Sequence, residues 1–136
     1  MKTLKVKQIF SLLLLSVALV MLQAHKVSEL ADIQIEIQVS PNVLNLNNQG
    51  EVVTIHTDIA YGAVAASTVM LNGIPIDHWK ADNQGNFVAK FLMSEIKGLP
   101  FTLGSYNLME MTGETRDGNT FYGSSMIKVV NIIPKK

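Results

Sequence analysis

The chain has 136 residues, eleven basic and eleven acidic, and no cysteine. The missing thiols exclude a disulfide scaffold, a thiolate metal site, a cysteine nucleophile and a lipoprotein anchor. Lys2, Lys5 and Lys7 supply three of the basic residues, so residues 25–136 hold eight basic against eleven acidic residues, a net charge near −3 with no basic patch for nucleic acid.

The start reads MKTLKVK, then an uncharged apolar run of 14 residues, IFSLLLLSVALVML, then a short stretch ending at Ala24. Basic, apolar and cleavage segments in that order are the pattern of a secretory signal, assigned here to residues 1–24. The alternative is an uncleaved membrane anchor, for which the run is short, since a span needs about 20 residues. The expected location is therefore exported, periplasmic or extracellular at the cell surface. Residues 25–31 form a short tail, and residues 32–133 are the length of one domain with one core.

IQIEIQV (33–39) alternates, with Ile33, Ile35, Ile37 and Val39 on one face, and reads as one half-buried strand broken by Ser40-Pro41-Asn42. VLNLNNQG (43–50) is a short extended piece ending in a polar turn. EVVTIHTDIA (51–60) alternates again: Val53, Ile55, Thr57 and Ile59 share one face, Thr54, His56 and Asp58 the other. YGAVAA (61–66) is a connection, STVMLNG (67–73) a strand, and IPIDHWK (74–80) an extended edge segment marked by Pro75. NFVAKFLM (86–93) is a strand. SEIKGL (94–99) is a helical turn with Ser94 as N-cap and Gly98 as stop. SYNLMEMTGETR (105–116) and FYGSSMIKVV (121–130) are strands joined by DGNT, whose Asp-Gly pair takes the positive φ angles of a tight turn. Strands at roughly ten-residue spacing, with almost no helical periodicity, predict an all-β fold, an antiparallel β-sandwich of about seven strands.

Few residues point to chemistry. His56 and Asp58 share a strand face and could serve as an acid–base pair. No G-x-S-x-G, HExxH or S-x-x-K motif accompanies them, so a solvated face is the plainer reading and no catalytic residue is assigned. Trp79, the sole tryptophan, is expected in the core. Met109 and Met111 share a face opposite Leu108, and with Met70, Met93 and Met126 they read as core fillers. His25 would become the first residue after cleavage, where its amino group and imidazole could chelate copper.

The terminal stretch GSYNLMEMTGETRDGNTFYGSSMIKVV, after KFLMSEIKGL, resembles a family of exported Ig-like modules in surface and secreted proteins of archaea and bacteria. Their last hairpin reads TGxxxDGxxFxG, and the resemblance covers about residues 33–131. It implies an Ig-like sandwich and an exported location rather than an activity. In that family a D-x-N/D-G-D-G-x-x-D calcium loop precedes the central strand. Here the corresponding loop is ADNQGNF, with Asp82 its only acid and Asn83, Gln84 and Asn86 offering neutral oxygens. A β-turn with Gly85 at positive φ is the preferred reading; the alternative is a weak calcium site at Asp82 and Asn86. The same ending is also similar to copper-resistance C-type periplasmic carriers, whose Asp-x-His is here Asp117-Gly118-Asn119, without the histidine.

The sequence thus predicts a non-enzymatic exported Ig-like module of structural, accessory or adhesion type, with a protein or cell-surface partner and no cofactor. A small metal carrier, calcium through residues 82–86 or copper through His25, is the alternative.

Overall fold

The computed structural model describes residues 29–133 and residue 135. The signal assigned to residues 1–24, the start of the tail and His25 lie outside the described residues. Alternation becomes pleated strand wherever one face can be buried. In β4 (Val52–Ala60), Val53, Ile55 and Thr57 are buried while His56 and Asp58 face out, as the period-two pattern predicts. In β9 (Ser105–Thr115) and β10 (Thr120–Val130) the inward residues are Met109, Met111, Thr115, Phe121, Ile127 and Val129.

Two sheets pack face to face. The first runs β1 (Asp32–Gln34), β10, β9, β5 (Val64–Leu71), β6 (Ile74–Pro75), with β3 (Val43–Asn45) also on β10. The second runs β2 (Ile37–Ser40), β4, β8 (Asn86–Leu92), β7 (His78–Ala81), all antiparallel. β1 and β3 pair parallel with the two ends of β10, while β2 between them pairs with β4. This is the Ig-like sandwich expected. The ten strand segments among the described residues exceed seven because the first strand is divided between the two sheets and the β5–β8 crossover carries two short edge strands.

Three local expectations are corrected. Residues 33–39 are not one strand: the chain leaves the first sheet after Ile35, whose N–H reaches Tyr122, and joins the second at Ile37. β5 begins at Val64, not after Ala66, because Val64 and Ala65 pair with Thr115 and Glu114. The short helix α1 (Met93–Ile96) starts two residues early, with Leu92 rather than Ser94 at its N-cap and no side-chain cap, so Ser94 lies inside it. Met93 and Ile96 anchor that turn in the core.

The core between the sheets is dominated by Phe87, Phe91, Phe121, Leu44, Ile55, Leu71, Met109, Met111 and Ile127, all essentially inaccessible. Each such side chain stabilises the fold by about 1.5–3 kcal/mol relative to exposure. Met70 and Met126 are not core: each is about half exposed on the outer face of the first sheet. The glycines of the terminal motif are explained by close packing. A Cβ on Gly113 would stand 2.5 Å from Cζ of its cross-strand partner Phe121, and one on Gly123 would stand 2.7 Å from the carbonyl oxygen of Ile35, where the chain crosses between sheets. No helix among the described residues is long and apolar enough to cross a membrane.

Candidate functional site

β7 is the outermost strand of the second sheet, and all four of its residues are exposed. Trp79 is paired with Ala89, which is buried in the core, so the indole stands on the inward side of its strand. Among the described residues no further strand covers it, and it remains 41% exposed. The expectation of a core tryptophan is therefore corrected: the side chain has the inward orientation of a core residue at the open edge of the sandwich.

Across that edge lies the first half of β5. Its pairing with β9 holds at Val64 and Ala65, then shifts before Met70. Thr68 fills the gap in the ladder: its hydroxyl donates to the Ala65 carbonyl at 2.7 Å and accepts from the Glu114 N–H at 2.8 Å. Before β5, a 3-10 turn at Tyr61–Ala63 carries Tyr61, whose ring stacks on Phe87 with centroids 6.2 Å apart and planes inclined by 28°. Arg116, at the end of β9, donates its backbone N–H to Ala63 at 2.9 Å and its Nε–H to the Val64 carbonyl at 3.4 Å. Its side chain is exposed and makes no ion pair among the described residues.

These groups enclose an open cleft of about 380 Å³ lined by Tyr61, Val64, Ala66, Trp79, Phe87 and Arg116. Two partly exposed aromatic side chains and a guanidinium can stack on a ligand, attract its anionic groups and pair with a carboxylate in two-pronged fashion. Only topology brings them together. Tyr61, Trp79 and Arg116 come from the β4–β5 turn, strand β7 and the end of β9, and nothing local in the sequence links them. Pro75, which marks IPIDHWK as edge, gives no signal for the cleft, because it sits in β6 at the edge of the first sheet while Trp79 sits in β7 of the second.

The loop at residues 82–86 is the β7–β8 turn, with Gly85 at φ 80°. One carboxylate oxygen of Asp82, Oδ1, accepts the N–H groups of Gln84 and Asn86, each at 2.9 Å. The Asp82 carbonyl accepts from Gly85 at 3.0 Å, and the Gly85 carbonyl accepts from Tyr61 at 2.9 Å. Asp82 thus organises its own turn, and that turn holds the segment bearing Tyr61. Among the described residues no group of three or more His, Asp or Glu side chains converges as a metal site.

The remaining candidates are dispersed. His56 and Asp58 lie on the outer face of the second sheet, where Asp58 accepts the Glu36 N–H at 2.9 Å. Asp77 and His78 form an exposed pair, Nδ1 to Oδ2 2.6 Å. Neither pair lines the aromatic cleft.

No family model matches the chain, and no curated protein matches it. Among solved structures the chain is similar to one described as "Structural insight into host cell surface retention of a 1.5-MDa bacterial ice-binding adhesin", with a TM-score of 0.45 and 19% identity over 77% of this chain and 34% of that one. The chain spans about a third of that protein chain's length.

Proposed function

We propose that the protein is an exported, non-enzymatic binding module of accessory or adhesion type, and that it engages a protein or cell-surface partner through the Tyr61–Trp79–Arg116 cleft. The observation that carries this reading is the placement of the sole tryptophan, 41% exposed, beside an arginine without an ion-pair partner among the described residues, at a sheet edge. Tryptophan, tyrosine and arginine are the residues that most often carry binding energy at protein interfaces. The export reading rests on the basic–apolar pattern of residues 1–24.

A pulldown from the exported fraction, with and without EDTA, tests the proposal. The expected result is capture that persists in EDTA and is lost with both Trp79→Ala and Arg116→Glu. Capture abolished by EDTA, or unchanged in both variants, contradicts it. A metal carrier would show the opposite dependence, and the Asp82 geometry gives that reading no support, since Oδ1 is already engaged by two loop amides.

A further inference from the structure

We propose that the partner is engaged by strand addition: an extended, acidic peptide segment pairs with the free edge of β7 and places a carboxylate side chain in the cleft against Arg116. This rests on the cleft being the recognition site, and adds the class of partner and the mode of binding.

The backbone supplies the first argument. The Asp82 N–H donates to the Asn86 carbonyl at 2.9 Å, which makes residues 82 and 86 a hydrogen-bonded pair. Bonded and non-bonded pairs alternate along an antiparallel ladder. Lys80 and Val88 are therefore a bonded pair, while Trp79/Ala89 and Ala81/Phe87 are non-bonded. Trp79 and Ala81 consequently direct their N–H and C=O groups away from β8, and among the described residues no strand lies on that side. Neither residue has a backbone partner elsewhere among the described residues. Such an edge is a template for a further strand.

The side chains supply the second. A strand added to β7 turns alternate side chains toward the inward side, where Trp79 stands and the cleft opens. Arg116 lines that cleft, and Lys80 stands exposed on the other face of β7. Neither cation has an acidic partner among the described residues. An acidic segment answers both. A second copy pairing through its own β7 would turn Trp79 and Ala81 to the inward side, and neither brings a carboxylate to Arg116. A saccharide could stack on the rings, but its hydroxyls do not repeat at the spacing of the edge amides as the carbonyls of a strand do.

The test is selection of a displayed random peptide library on the purified full-length protein, followed by synthesis of the enriched peptides. The expected peptides carry an acidic residue at a fixed place in a period-two pattern. They should slow hydrogen exchange at the Trp79 and Ala81 amides at least tenfold. N-methylation of alternate peptide amides in one phase should weaken binding at least tenfold, and in the other phase should not. Arg116→Glu should also weaken it at least tenfold, with retained circular dichroism showing that the variant folds. No enrichment, binding that leaves both amides unprotected, or equal tolerance of both N-methylated phases overturns the proposal. Protection of these amides without peptide, accompanied by dimerisation, overturns it in favour of a second copy. If exported-fraction capture needs Trp79 and Arg116 while both amides stay unprotected, the cleft reading stands and strand addition fails.

Discussion

The backbone N–H of Tyr61 donates to the carbonyl of Gly85 at 2.9 Å, tying the start of the β4–β5 connection to the turn between β7 and β8. The turn is in turn held by Asp82, whose Oδ1 accepts from Gln84 and Asn86. Two segments beside the cleft are thereby joined by a backbone bond, at a turn that a single side chain organises. Asp82→Ala removes both bonds to that oxygen. It is expected to lower stability by about 1–3 kcal/mol in urea denaturation. Calcium at millimolar concentration is expected to leave the midpoint of the wild-type protein unchanged.

Trp79 gives an optical check on its own position. An indole 41% exposed at a sheet edge emits near the wavelength of a solvated tryptophan and is readily quenched by iodide. A buried core tryptophan would emit at shorter wavelength and resist quenching. Because the edge position contributes little packing, Trp79→Ala is expected to cost about 1 kcal/mol or less in the same denaturation experiment.

The crossing between sheets at Ile35 depends on Gly123 having no side chain. A Cβ there would press on the Ile35 carbonyl at 2.7 Å and on Cγ2 of Ile37 at 2.8 Å. Both contacts belong to the segment that changes sheets, and one is to backbone that cannot rotate away. Gly123→Ala is expected to destabilise by about 1–3 kcal/mol, the range of overpacked sites. The loss should appear as a lowered melting temperature with native-like circular dichroism below it.

Phe121 covers Gly113 from the opposite strand and is 1% exposed. Phe121→Ala opens a cavity at the turn end of the β9–β10 hairpin and is expected to cost about 3–5 kcal/mol by equilibrium unfolding.

The reach of the sequence can be seen in these residues. Residues 51–60 announced their strand, because one face of β4 meets the core and the other meets water, so period two appears undisturbed. The same periodicity hid the break at Ile35. Ile33, Ile35, Ile37 and Val39 all turn toward the one core, whichever sheet carries them, so alternation reports the buried side and is blind to the sheet. Trp79 departs from the expected core position for a different reason: residue type argues for burial, but coverage depends on whether another strand lies beyond β7. The cleft itself was not legible. Tyr61, Trp79 and Arg116 meet through the packing of two sheet edges, and no spacing in the chain encodes that meeting.

The most direct measurement uses the tryptophan as its own reporter. Incorporating 5-fluorotryptophan places a single fluorine-labelled side chain in the protein, at residue 79. The account predicts that adding the captured partner shifts or broadens this one resonance in a saturable way. The change should vanish with Arg116→Glu and persist with Glu110→Lys, a substitution on the exposed outer face of the first sheet. Saturable binding that leaves the resonance untouched, or binding abolished by Glu110→Lys and not by Arg116→Glu, would contradict it.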